Sequence, residues 1–223
     1  LRYTAGAQPS VLARVLVAGE RIAETLAEER VRARGRRVTI VIPFGGDAKA
    51  LAVSLNMGME QEYLNKEILI PVMGEAEASE AEAIASGVNM AEIPVAVISA
   101  PAGAPLGKAL EEAATGDYVQ ILFPGDELIA DKFLRMMACL ESQPPVDWAF
   151  ADEERKDAEH SPYYNLPTDG SFRMVNGEAL WRQLLTRGQY PAGELAAGFF
   201  RRPFLAARNW LMGDFLEERP LIL

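Results

Sequence analysis

From residue 38 onward the chain alternates short apolar runs with longer stretches whose apolar residues recur at helical spacing. Val38–Pro43, Ile68–Val72, Val95–Ser99, Val119–Phe123 and Trp148–Ala151 are near-continuously apolar and read as strands covered on both faces. Residues 47–60, 76–86, 104–115 and 128–142 lie between them and read as helices. Regular alternation of strand and helix implies βαβ crossovers. The expected fold is therefore α/β, an open, mostly parallel sheet flanked by helices.

The pattern differs at both ends. Over residues 10–33, Val11, Leu12, Val15, Leu16, Ile22 and Leu26 are spaced for one face of a helix, with Arg14, Glu20, Glu24 and Glu28 between them. This predicts an N-terminal amphipathic helix, with Ser10 placed to cap its start and Gly35 to end it. Three roles are open to it: packing on the domain, connecting to a preceding domain, or pairing with another copy. After about residue 155 the alternation stops, and Pro162, Pro167, Pro191, Pro203 and Pro220 punctuate a less regular region with candidate helices at 177–187 and 203–212. The expected layout is a helix and linker at 1–36 and one domain at 37–223. Within that domain a first half, 37–155, is followed by a second, 156–223, that folds onto it.

Composition narrows the function classes. The 223 residues are 49% hydrophobic and 24% charged, so a sizeable core is available. Lys and Arg number 22 against 32 Asp and Glu, a formal charge of −10, which disfavours nucleic acid as a partner. Arg30, Arg32, Arg34, Arg36 and Arg37 form a basic run, read as a solvated helix end. Cys139 is the single cysteine and His160 the single histidine, so an intrachain disulfide and a multi-histidine metal site are excluded. No apolar stretch approaches the roughly 20 residues that span a bilayer. The chain reads as cytoplasmic, with membrane association left to regions outside it. Because it starts at Leu1, we expect it to be part of a longer polypeptide.

In open α/β sheets ligands bind beyond the carboxyl ends of the strands, here just after Pro43, Val72, Ser99, Phe123 and Ala151. Arg37-Val-Thr-Ile-Val-Ile-Pro43-Phe44 resembles the opening strand of family-two glycosyltransferases, which have the GT-A fold, and Glu67-Ile-Leu-Ile resembles their second strand. Gly107 to Tyr118 resembles the helix and Gly-Asp-Tyr turn feeding the central strand. Ile121-Leu-Phe-Pro-Gly-Asp126-Glu127 resembles that strand and its acidic metal motif. Asp147-Trp-Ala-Phe-Ala-Asp152-Glu153-Glu154, with Pro162-Tyr163-Tyr164, is similar to segments of bacterial members that build O-antigen or rhamnose-containing polysaccharides. Together the likeness spans residues 37–215.

The resemblance implies a nucleotide-sugar donor, a glycan acceptor and a divalent cation, Mn or Mg. Asp126, with Glu127 beside it, takes the metal position. Pro43, Phe44, Gly45, Gly74, Asp152 and Glu153 take the donor positions, and Asp214 takes that of the catalytic base. The family pattern is also altered here. Asp126 is the only acid in Phe123-Pro-Gly-Asp126, and Pro71-Val-Met-Gly74-Glu75 replaces the acids that usually meet the nucleoside. Gly45-Gly46-Asp47 reads either as a phosphate-admitting turn at a helix start or as a simple turn. Asp152 and Glu153 also fit a surface turn, and Asp214 a helix cap. Trp181 and Trp210 fit core packing or sugar stacking. Two function classes follow: an active sugar transferase, or a catalytically degenerate GT-A module with an assembly role in a larger protein. A generic nucleotide-binding enzyme, such as a nucleotidyltransferase, ranks behind both because no phosphate loop of the expected form is present.

Overall fold

The computed structural model describes residues 35–88, 93–100, 104–125, 128–141, 147–150 and 198–207. The segment 10–33, the candidate helix at 177–187 and residues 208–212 of that at 203–212 lie outside these residues. The strands are β1 (Val38–Val41), β2 (Lys66–Val72), β3 (Val95–Ser99), β4 (Tyr118–Ile121), β5 (Trp148–Phe150) and β6 (Gly198–Arg201). The helices among the described residues are α1 (Ala48–Glu60), α2 (Glu75–Gly87), α3 (Leu106–Ala113), α4 (Lys132–Glu141) and α5 (Arg202–Ala206).

The strands form one sheet in the order β3-β2-β1-β4-β6-β5. Pairings β1–β2, β1–β4 and β2–β3 are parallel, whereas β6 runs antiparallel to both β4 and β5. The architecture is thus the expected mostly parallel α/β sheet flanked by helices, with one reversed strand that the hydrophobic pattern did not predict. That strand, Gly-Phe-Phe-Arg, is only four residues long and lies in the irregular part of the sequence. Its two phenylalanines are both fully buried because successive strand side chains point to opposite faces and both faces are covered.

Each face of the sheet has its own apolar core. On one face Val38, Ile40, Ile68 and Ile70 pack with Leu51 and Leu55 of α1, Ala81 of α2, Phe133 and Met137 of α4, and Phe199 of β6. On the other, Val41, Leu69, Val119 and Ile121 pack with Leu106 and Leu110 of α3, Phe200 of β6 and Leu205 of α5. Phe133 and Phe199 meet edge to face at 5.0 Å between ring centroids, a favoured aromatic geometry.

Several boundaries differ from the expected ones, each for an identifiable reason. Strand β2 begins at Lys66, two residues before the apolar run, because Lys66 and Glu67 are buried polar residues only 1% and 5% exposed. Strand β1 ends at Val41, although the Phe44 N–H still donates to the Pro71 carbonyl at 3.1 Å. Helix α4 begins at Lys132. The chain just before it is held to the end of α1: the Glu62 N–H donates to Ala130 O at 2.9 Å, and buried Gln61 donates from Nε2 to Ile129 O at 2.8 Å.

Candidate functional site

Strand order reverses between β1 and β4, since β1 leads outward to β2 and β3 on one side and β4 lies on the other. Such a switch point opens a crevice at the carboxyl ends of the two strands. The loops that leave it are Ile42–Asp47 after β1 and Leu122–Gly125 after β4. Each contains a glycine in the left-handed region, Gly46 at φ 90° and Gly125 at φ 92°, a conformation that side chains with a Cβ rarely adopt. A Cβ built at Gly45, Gly46, Gly74 or Gly125 meets nothing within 4 Å. Among the described residues nothing therefore crowds the backbone along this edge.

The sequence-derived donor positions divide clearly by burial. Pro43 and Phe44 are buried at the base of the β1 loop, Phe44 completely, inside the core shared with α1 and α2. They shape the loop from below, whereas Gly45 and Gly46 are exposed above it. Asp47 caps α1, its Oδ1 accepting from the Ala50 N–H at 3.0 Å. That carboxylate takes one of the N–H groups a phosphate would use and adds negative charge there, which favours the simple-turn reading of Gly45-Gly46-Asp47.

Gly74 stands on the neighbouring loop as the N-cap of α2, with Met73 before it 52% exposed. The Met73 N–H donates to Glu77 Oε2 at 2.9 Å, and the first turn of α2 carries Glu75 and Glu77. Sequence reasoning missed this role for Glu77. An acid three residues beyond the cap is the signal that would have shown it. Phe123 is buried after β4, so it contributes packing and no ligand. Gly45, Gly74 and Gly125 are thus placed along one edge of the sheet.

Asp126, Glu127, Asp152, Glu153 and Asp214 lie outside the described residues, as do His160, Trp181 and Trp210. Among the described residues no group of three or more His, Cys, Asp or Glu side chains is placed to hold a metal ion. No helix among the described residues is long and apolar enough to cross a membrane.

The opposite edge of the sheet carries the most heavily hydrogen-bonded carboxylate described. Glu67 accepts from Thr39 Oγ1 at 2.6 Å, the Thr115 N–H and hydroxyl at 2.7 Å each, and the Gly116 N–H at 3.2 Å, with the Arg37 guanidinium 3.4 Å away. Burial alone would raise its pKa, but the bonds from Thr39 and Thr115 and the Arg37 charge outweigh it and hold the carboxyl below its ordinary value. The Gly116-Asp117-Tyr118 turn belongs to this edge. A Cβ at Gly116 would lie 2.5 Å from Thr39 Oγ1 and 2.6 Å from its backbone nitrogen, so that turn serves the packing of β1 against β4.

Many solved structures resemble this fold, two of which illustrate the likeness. The mannosyltransferase PcManGT from Pyrobaculum calidifontis, in complex with GDP-Man and Mn2+, matches at a TM-score of 0.51 and 15% identity, over 88% of this chain and 57% of its own. The chain has a glycosyltransferase fold. TarS 1-349 from S. aureus matches at a TM-score of 0.55 and 13% identity, over 78% of this chain and 49% of its own. The chain thus spans about half the length of each of these two structures. No protein-family model matches it, and no curated protein matches it in sequence. In this GT-A-like fold, the loops after β1, β2 and β4 form the candidate site.

Proposed function

We propose that the chain is the donor-binding domain of a glycosyltransferase that moves a sugar from a nucleotide-sugar donor to a glycan acceptor. The observation that carries this reading is the pair of open glycine turns, at Gly46 and Gly125, flanking the switch point of the sheet. The mannosyltransferase with the same fold, in complex with GDP-Man and Mn2+, supports it. The proposed domain runs over residues 37–223, with 37–155 as the nucleotide half and 156–223 on the acceptor side.

In this reading Pro43, Phe44 and Gly45 form one wall of the donor site and Gly74 the edge nearest the nucleoside. Asp152 and Glu153 face the sugar, and Asp126 with Glu127 holds Mn or Mg. A bound divalent cation supplies positive charge against the leaving diphosphate. Asp214 takes the proton of the acceptor hydroxyl as its oxygen bonds to the anomeric carbon and the bond to the diphosphate oxygen breaks. The likeness of Asp147–Glu154 and Pro162–Tyr164 to O-antigen and rhamnan-type members supports a cytoplasmic role in cell-surface polysaccharide synthesis.

A second reading rests on a specific observation. The exposed side chain at the end of β2 is Met73, where the family carries an acid, and the residues before Asp126 offer a buried ring and a bare glycine. A domain so altered would keep the scaffold for assembly within a larger protein and catalyse nothing. Calorimetric titration with UDP, GDP and dTDP, with and without Mn2+, separates the two. Metal-dependent binding that is lost in Asp126→Ala supports the transferase. Absence of binding to all three supports the non-catalytic module.

A further inference from the structure

The edge where the chain enters the sheet carries two large apolar side chains in solvent. Leu64 is 68% exposed and Ile129 is 66% exposed. They lie on segments joined by the Glu62–Ala130 and Gln61–Ile129 hydrogen bonds, so they belong to one region of the surface. The chain preceding β1 is anchored at the same place. Asn65 Nδ2 donates to Gly35 O at 2.7 Å, and the Tyr63 hydroxyl donates to Arg36 O. Gly35 and Arg36 are therefore held beside Asn65 and Tyr63, the two residues that flank Leu64.

We infer that the amphipathic segment 10–33 docks back onto this surface, with Ile22 and Leu26 covering Leu64 and Ile129. Three features select this occupant. The tether suffices, since Leu26 precedes Gly35 by nine residues, enough chain to turn back onto the patch. Ile22 and Leu26 are four residues apart and share a helix face. Charge is complementary as well: Arg30, Arg32 and Arg34 follow the apolar stripe, and exposed Glu60 ends α1 next to Gln61. The docking concerns the surface around Leu64 and Ile129 and does not depend on the proposed activity.

Amide hydrogen exchange on the whole 223-residue chain tests it. In the wild type, amides within 10–33 exchange at least about tenfold more slowly than an unstructured chain. That protection is lost in the Leu64→Glu/Ile129→Glu double variant while the amides of β1 and β2 stay protected. Leu26→Glu, which leaves the sheet untouched, produces the same loss and guards against a folding defect in the double variant. Exchange in 10–33 at the unstructured rate in the wild type overturns the inference. So does protection that survives the double variant, or protection that disappears on dilution, which would identify a second copy as the occupant.

Discussion

Glu67 and Gly116 show how individual residues in this sheet are constrained by neighbours far away in sequence. The Glu67 carboxylate is satisfied by donors from β1 and from the turn before β4. Its folded-state pKa is held below its ordinary value, and an unfolded glutamate titrates near about 4.3. As pH falls the unfolded chain therefore takes up the proton first. The stabilisation is complete above that range and is lost as pH drops through the folded value. Glu67→Gln places an amide NH2 among donors and should cost about 1–3 kcal/mol at neutral pH. The gap between the two proteins should narrow below about pH 5, as read from urea unfolding at a series of pH values. A gap independent of pH would show that the charge is not involved. Gly116→Ala, with its Cβ driven against the backbone of Thr39, should lower stability by about 1–3 kcal/mol in the same assay.

At the scale of elements, helix α1 links the candidate site to the far edge of the sheet. Its start is capped by Asp47 beside the glycine turn. Its end is held by Lys66, whose Nζ donates to the carbonyls of Met59 and Gln61 at 2.8 and 2.5 Å. These are terminal carbonyls that the helix itself leaves unsatisfied. Burial lowers the Lys66 pKa to about 8, against about 10.4 in an unfolded chain. Between these values the unfolded chain holds a proton that the folded protein has released, so the contribution of Lys66 to stability rises with pH across that window, by up to about 1.4 kcal/mol per pH unit. Lys66→Met removes the titrating group. Stability of the wild type relative to this variant should climb from about pH 8 to about pH 10. A constant difference across that range would refute the assignment.

For the molecule as a whole, the decisive element is β6. It joins β4 to β5 from a point some fifty residues further along the chain, and buries Phe199 on one face of the sheet and Phe200 on the other. Its Arg201 pairs with Asp147, and Arg202 donates from Nε to Gly116 O at 2.9 Å. Burial of the two rings is worth roughly 3–6 kcal/mol in all, a large share of the net stability of a domain this size. A chain ending at residue 155 should therefore fail to fold cooperatively and should aggregate through the bared edge of β4. Circular dichroism melting and size-exclusion chromatography of residues 35–155 check this, and a soluble, cooperatively folding fragment would contradict it.

Much of this fold was legible beforehand because its signals are local. Near-continuous apolar runs mark β1 to β5, and helical spacing marks α1 to α4, since burial on both faces and on one face leave different periods in the sequence. The carboxyl-end position of the candidate site followed from the alternation of strand and helix alone. The glycines at 45, 46, 74 and 125 were visible as residues, but their opening onto free space depends on how the loops leave the sheet. Other features were decided only by tertiary structure. Lys66 and Glu67 precede the apolar run Ile68–Val72 because they are charged, and their burial in β2 depends on acceptors at the end of α1 and donors from β1 and the turn before β4. Strand β6 carries too few residues for a period, and its reversed insertion between β4 and β5 comes from long-range pairing. Local periodicity determined which segments are strands and helices. Strand order, the sites of buried charge and the open edge at the switch point arose from contacts between residues that no short window of sequence contains.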